Sequence, residues 1–231
     1  MEILTLDQLP QGGFAGLEEK QVVTDQRVFG ARKRPETANG IGNFVYLADA
    51  SFLPHGETGM HPHQEIDVIS VMAKGRVSHA GSLEHGKGLV APEAQVQRAG
   101  GEGFAHNEVN PDKTPNQLIQ LWVLPETKGE PAGYKAYTPE TNVRTRIYGG
   151  SKKQKETFDS HTVIEMVQAT KGYQTEHSGE VLAYLSTGRA SINGETIQAG
   201  TLVRATELNF VAQQESQLIL IFTESFNETE H

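Results

Sequence analysis

The chain has 231 residues, of which 36% are hydrophobic and 21% are charged, so it is long enough for one large or two small globular domains. Its formal net charge is −9, and this acidic balance lacks the clustered basic surface that direct nucleic-acid binding requires. Because the chain has no cysteine, disulfides, iron–sulfur clusters and thiol nucleophiles are excluded.

The N-terminal segment shows no targeting signal. Residues 1–8 lack the basic and apolar regions of a signal peptide, and no apolar run in the chain reaches the length of a membrane span. Residues 1–42 contain many glycines and prolines, and they predict an arm with short strands near Gln21–Val23 and Arg27–Ala31. We therefore expect a cytoplasmic protein without a membrane partner.

From Asn43 onward the pattern is that of an all-β protein. Runs rich in valine, isoleucine, leucine and aromatic residues are bounded by turn formers and recur about every ten residues, which is typical of a β-sandwich or barrel. Asn193-Gly194 predicts a type I′ hairpin, because that turn needs positive φ at both central residues. A polar, frayed tail is expected from Glu224. The predicted strands are 44–53, 66–73, 76–80, 88–98, 117–124, 162–169, 181–187, 189–192, 195–198, 201–205, 208–213 and 217–223.

The two halves of the chain resemble each other weakly. Val71–Arg76 is echoed by Tyr184–Arg189, which suggests a duplicated β-domain. Residues 125–160 look like a connection with little core. The sequence therefore predicts an N-terminal domain at 1–135 and a C-terminal domain at 136–231.

Two short motifs in the N-terminal half bring together side chains that bind metals. His61 and His63 are two residues apart, as are His106 and Glu108, so on extended strands each pair points to one face. If the two strands face each other, three imidazoles and one carboxylate converge, a donor set that suits iron, zinc, copper, nickel or manganese. The alternative is that these are surface histidines on a turn near Pro62 with a solvated carboxylate.

The C-terminal half lacks this donor set. Under the spacing that relates the repeats, His61 and His63 fall on Gln174 and Glu176, and no histidine near residues 210–214 takes the place of His106. The site is therefore expected in the N-terminal domain alone.

These motifs resemble the pirin family of the cupin superfamily. The resemblance is carried by His61-Pro62-His63, by Gly75 and by the run from Pro92 to Glu108, and it extends over residues 43–126. It implies a bicupin, in which two jelly-roll-like β-barrels pack face to face, with one divalent metal, most often Fe(II), in the N-terminal barrel. The family's ligands carried over onto this sequence are His61, His63, His106 and Glu108.

The resemblance also implies a function. Some family members have quercetin 2,3-dioxygenase activity, which implies a flavonol-type aromatic substrate and O₂ as partners, with Glu108 as the base that takes the substrate's hydroxyl proton. Other members are described as iron-dependent, redox-sensitive regulators that bind a protein partner, and this non-enzymatic role is the alternative. An isomerase-type cupin is a third hypothesis.

Several further residues carry expectations. Asp67 and Gln64 depart from the family pattern, as does Pro92-Glu93-Ala94, and these changes bear on the shape of the pocket mouth. Asp67 is four residues from His63, so both side chains would face the same side of an unbroken strand. Asp67 is therefore expected either to hold a ligand imidazole in place or to be a solvated carboxylate. Trp122 is expected in the core rather than on a ligand platform. The histidines left unassigned are His55, His79, His85 and His161.

Overall fold

The protein is described by a computed structural model that covers residues 1–83 and 88–226 and confirms the all-β class. His85 and the end of the predicted polar tail lie outside these residues. Two compact units make up the chain. The N-terminal unit contains Leu9–Gly40 and Val45–Thr138, and the C-terminal unit contains Met1–Gln8, Ile41–Phe44 and the chain from Pro139 onward.

The N-terminal unit is built from two sheets. One has the strand order β12-β9-β6-β11-β4-β3-β2, and the other has the order β5-β10-β7-β8. The strands are β2 Gly12–Phe14, β3 Leu17–Thr24, β4 Phe44–Phe52, β5 His61–His63, β6 Asp67–Lys74, β7 Arg76–Gly81, β8 Gly88–Val90, β9 Ala94–Arg98, β10 Phe104–Val109, β11 Gln117–Val123 and β12 Gly133–Tyr137.

The C-terminal unit contains one eight-stranded sheet. Seven strands follow the order β13-β14-β19-β15-β18-β16-β17, and β1 pairs with β18. This pairing explains why Met1–Gln8 belongs to the C-terminal unit, whereas the predicted division at residue 135 remains a prediction. The strands are β1 Glu2–Thr5, β13 Thr145–Gly150, β14 Ser160–Ala169, β15 Gln174–Thr187, β16 Arg189–Ile192, β17 Glu195–Gln198, β18 Thr201–Ala212 and β19 Ser216–Thr223.

The interiors of the two units differ in chemistry. In the C-terminal unit aliphatic and aromatic side chains such as Leu185, Phe210 and Leu220 form one buried apolar cluster. Gln174 and Glu176, the repeat positions of the two histidines, are exposed. In the N-terminal unit a smaller apolar cluster, which includes Met72, leaves part of the interior to polar side chains. The candidate site lies among these polar side chains.

Helix is confined to short pieces. The predicted strand at 27–31 is wrong, because α1 occupies Gln26–Phe29 and a 3₁₀ turn follows at Gly30–Arg32. The Asp25 side chain caps α1 by accepting a hydrogen bond from the Arg27 amide, and Gly30 ends it with a positive φ of 52°. In the parts of the chain that are described, no helix combines the length and the apolar character needed to span a membrane.

The segment predicted as a connection with little core contributes to both units. It includes β12 and β13, and Ile147 and Tyr148 of β13 are fully buried. The prediction failed because β13 pairs with β14 through two register shifts, which hide its alternation from a periodicity search.

Candidate metal centre

The candidate ligands lie on two paired strands of the smaller sheet. Burial alternates strictly along β10, so that Phe104, His106 and Glu108 point inward. β10 pairs antiparallel with β5, where His106 is opposite His61 and Phe104 is opposite His63. Directly opposed side chains in an antiparallel ladder share a face. The structure therefore brings the three histidines together, as the sequence predicts.

The ring nitrogens of the three histidines converge. His106 Nε2 lies 3.0 Å from His61 Nε2 and 3.2 Å from His63 Nε2, and one nitrogen of each ring lies within 4.8 Å of the others. His61 Nδ1 is 2.9 Å from the carbonyl oxygen of Gly59, to which it donates. In a neutral imidazole that hydrogen bond leaves Nε2 with a lone pair for a cation.

Burial keeps two of these imidazoles neutral. Burial and, to a smaller extent, the charge of His61 lower the pKa of His63 to about 4. Burial also lowers the pKa of His106 to about 2, with smaller contributions from His61, His63 and His79. Neutral imidazole is the form that binds metals, so both rings are ready to coordinate at neutral pH.

A divalent transition metal fits this donor set. Nitrogen separations of 3.0 and 3.2 Å match neighbouring ligands that each lie about 2.1 Å from one ion. Three neutral nitrogens aimed at one another repel through their lone pairs unless a proton or a cation lies among them. The chemistry and the spacing of the donors are therefore those of a metal site.

Glu108 lies beside the histidines without belonging to the converging group. Its carboxylate is almost fully buried, and Oε1 accepts hydrogen bonds from Ser70 Oγ at 3.0 Å and from Gln95 Nε2 at 3.4 Å. Tyr134 donates in turn to Gln95 Oε1 at 3.1 Å. Burial raises the pKa of Glu108 to about 7, although the Ser70 hydrogen bond opposes this shift. A carboxylate with this pKa can hold or release a proton near neutral pH.

A cavity of about 300 Å³ opens next to these residues. The lining combines the candidate ligands with side chains from β3, β4 and β11, which alternate toward the cavity along each strand. Ala50 also faces the cavity, and its small side chain leaves open space between larger neighbours. The lining residues are Phe14, Leu17, Glu19, Gln21, Phe29, Tyr46, Ala50, Phe52, Thr58, His61, His63, His106, Glu108, Leu118, Gln120 and Trp122.

Comparisons with known proteins relate this chain to one family. The model of the Pirin family matches residues 26–123, a range that contains all four candidate ligands. The bacterial pirin YhhW from Escherichia coli in complex with nickel(II) has a TM-score of 0.80, covers 97% of this chain and 99% of that chain, and is 18% identical. Over residues 26–123 the chain is similar to the pirin family, and it shares the fold of a bacterial pirin. The resemblance to pirins that the sequence predicts is thereby confirmed.

Relatives of this chain carry names that refer to one activity. A Zymomonas mobilis protein, provisionally named quercetin 2,3-dioxygenase, is 26% identical over 188 residues, which is 76% of this chain and 80% of the relative. The quercetin 2,3-dioxygenase of Escherichia coli K12 is 35% identical over 72 residues, 31% of each chain. These names describe the relatives and supply a hypothesis for this chain.

Two residues that lie close to the site were missed or wrongly assigned from the sequence. His79, left unassigned, is buried opposite Glu108 in the β7–β10 ladder, and its ring centroid lies 5.5 Å from that of His106. Trp122 lines the cavity and is only partly buried, so its assignment to the core is wrong. Only strand register and sheet order reveal both positions.

The departures from the family pattern lie away from the cavity lining. Gln64 Nε2 donates to the Gly101 carbonyl at 2.8 Å. Asp67 is fully buried and pairs with Arg98 at 3.1 Å, so the solvated alternative is wrong. The parity argument for Asp67 assumed an unbroken strand, but β5 ends at His63 and Glu65 has a φ of 51°. Neither Gln64 nor Asp67 is among the described residues that line the cavity.

We expect Asp67→Ala to lower the free energy of unfolding by about 3 kcal/mol, because it removes a carboxylate that balances the charge of the buried Arg98. Arg98 retains Glu130 as a partner, which places the effect at the lower end of the range for broken buried pairs. Urea unfolding measures the loss, and metal content should stay at the wild-type level. Asp112→Ala, which removes the partner of the exposed Arg76, is the control and should barely change the midpoint. A metal-deficient Asp67→Ala would instead assign Asp67 to the site.

Proposed function

We propose that this protein is a pirin-like, metal-dependent dioxygenase that cleaves the ring of a flavonol-type substrate, as a quercetin 2,3-dioxygenase does. One observation carries the proposal. Three converging imidazole nitrogens and a buried carboxylate share a cavity with a wall of aromatic side chains. The names of the relatives support the same activity.

His61, His63 and His106 would hold the metal, with Glu108 as the fourth ligand. Imidazole and carboxylate ligands with open positions suit Fe(II), which is the metal we propose. When bound, the ion supplies Lewis acidity and a template that brings the two reactants, substrate and O₂, together.

Glu108 is the proposed base. Ser70 and Gln95 donate to Oε1, which leaves Oε2 as the oxygen to receive the proton of the substrate's 3-hydroxyl group. Burial raises the pKa of Glu108 to about 7 in the metal-free protein, and a cation beside it would favour the ionised carboxylate, which is the form that accepts the proton. Loss of this proton makes the flavonol ring electron-rich toward dioxygen.

The cavity wall would orient the substrate and limit water. Trp122 contacts Tyr46, with ring centroids 4.2 Å apart, and Phe29 stacks on both rings. Flat aromatic surfaces favour offset stacking with a planar ligand. Phe52 and Leu118 continue the wall with apolar surface, which strengthens the electrostatic interactions within the cavity.

Oxygen uptake by iron-loaded protein with quercetin tests the proposal. We expect uptake by the wild type, and a rate at least a hundredfold lower for Glu108→Gln at comparable metal content, because an amide cannot accept the proton. Ala50→Phe should retain metal and lose activity, since the added ring fills the cavity. Glu18→Gln, on the exposed face of β3, is the control with the same charge change as Glu108→Gln.

A different result would favour the regulator hypothesis. If fully iron-loaded wild type takes up no oxygen with any flavonol, the dioxygenase proposal is wrong. Pull-downs under reducing and oxidising conditions would then test binding to a protein partner that depends on the redox state of the iron.

A further inference from the structure

The N-terminal arm supplies part of the cavity, although the matched family region begins only at residue 26. Along β3, Leu17, Glu19 and Gln21 alternate toward the cavity. In the ladder with β4, Glu19 is opposite Ala50, and the small alanine side chain leaves the carboxylate beside open space. A half-buried carboxylate in a mostly apolar cavity is a specific polar feature.

Two side chains fix the Glu19 carboxylate in place. The Tyr46 hydroxyl donates to Oε2 at 3.0 Å, and Gln21 Nε2 donates to Oε1 at 3.2 Å. Burial and the charge of Glu19 raise the pKa of Tyr46 well above its ordinary value, so the phenol keeps its proton. With that proton committed to Glu19, the oxygens of Glu19 and Tyr46 offer lone pairs to a ligand. This corner of the cavity therefore accepts hydrogen bonds.

An aromatic surface connects this corner to the histidines. The Tyr46 ring lies against Trp122 at 4.2 Å, and Trp122 lies 5.9 Å from the His63 ring in an edge contact. A planar ligand with one end at the histidines can thus follow the Trp122 and Tyr46 faces toward Glu19. Two carboxylates in one cavity, Glu19 and Glu108, disfavour an anionic substituent on such a ligand.

We propose that Glu19, positioned by Tyr46 and Gln21, forms a second subsite that accepts hydrogen bonds from ring hydroxyls at the end of the ligand remote from the metal-binding group. The ligand class is an uncharged, planar, polyhydroxylated aromatic compound. This inference rests on the proposed function, because it assumes that the other end of the ligand binds at the three histidines.

The sole tryptophan of the chain provides a local reporter, since Trp122 lines the cavity. The probes are quercetin and galangin, the same flavonol without the two hydroxyls on the pendant ring. Zn²⁺-loaded protein under argon gives binding without turnover, because the co-substrate O₂ is absent and zinc itself has no redox chemistry. Trp122 quenching, checked by calorimetry, gives the dissociation constant for each flavonol.

We expect the wild type to bind quercetin about tenfold more tightly than galangin, the typical effect of a hydrogen bond to a charged group. Glu19→Gln should reduce this ratio to about twofold while the affinity for galangin stays unchanged. A merely structural role for Glu19 would instead weaken both ligands. Glu18→Gln, which changes the same charge on the opposite face of β3, should keep the tenfold ratio.

Two kinds of outcome overturn the inference, and they differ in whether the proposed function also fails. If Glu19→Gln retains the wild-type ratio at full zinc occupancy, or the wild type shows no preference, the subsite is wrong while the proposed function stands. If neither flavonol binds to the zinc-loaded wild type, the proposed function fails, and the subsite fails with it.

Discussion

Replacing His106 with alanine is expected to abolish stoichiometric binding of a divalent metal. Its Nε2 lies within hydrogen-bond distance of the Nε2 atoms of both His61 and His63, so the substitution removes the donor shared by the two close contacts of the cluster. Residues that only support metal ligands contribute about 10–100-fold to affinity. The loss of a direct ligand should exceed that range.

The measurement combines metal analysis by mass spectrometry with thermal unfolding. A metal at a hundred times its dissociation constant stabilises the native state by about 2.7 kcal/mol, and His106→Ala should lose this metal-dependent increment. Because the increment compares one variant with and without metal, a general loss of stability from truncating a buried ring does not affect it. His161→Ala, an exposed histidine on β14 of the C-terminal unit, should keep the full increment. One equivalent of metal retained by dialysed His106→Ala would refute the three-histidine site.

The convergence of the histidines could be predicted because it depends on the most reliable local rule, the alternation of side chains along a strand. His106 and Glu108 are two residues apart on a regular strand, and their burial follows that period. The rule held for β10 because no bulge interrupts its pairing with β5 and β7. It failed for Asp67, because the chain turns at Glu65 before β6 begins.

The cavity could not be predicted, because it depends on which strands become neighbours. Glu19 and Tyr46 are far apart in sequence, and their hydrogen bond follows from the β3–β4 ladder and its register shift. His79 reaches the site through the β7–β10 ladder in the same way. Strand alternation gives the face of a side chain but does not identify the strand that lies opposite. The residues that shape ligand binding are therefore those that the sequence identified least well.

The strand predicted at 27–31 failed for a local reason. Arg27 and Val28 are compatible with a strand, but Asp25 and Gly30 provide a cap at each end of a single helical turn. The consequence is functional, because α1 carries Phe29 onto the cavity wall, where its ring stacks on Tyr46 at 5.6 Å.

Metal binding at pH 6 is expected to release about 0.9 more protons per ion from the wild type than from Glu108→Gln, and about 0.1 more at pH 8. The sign follows from the raised pKa of Glu108, about 7 in the metal-free protein. At pH 6 this carboxyl is mostly protonated, and at pH 8 it is mostly ionised. A carboxylate that ligates a cation must be ionised at both values, so the proton is displaced at pH 6 and already absent at pH 8.

Calorimetry in buffers with different ionisation enthalpies measures this proton release, and the difference between the two proteins isolates Glu108 from the imidazoles. The same linkage should raise the wild-type affinity by about tenfold between pH 6 and pH 8 relative to the variant. The side-chain amide oxygen of the Glu108→Gln variant can still accept hydrogen bonds from Ser70 and Gln95, so the surroundings of the site are preserved. Equal proton release from both proteins at pH 6 would mean that Glu108 is not a ligand. The three imidazoles would then hold the ion without it, and Glu108 would act on the substrate as a base that does not coordinate the metal.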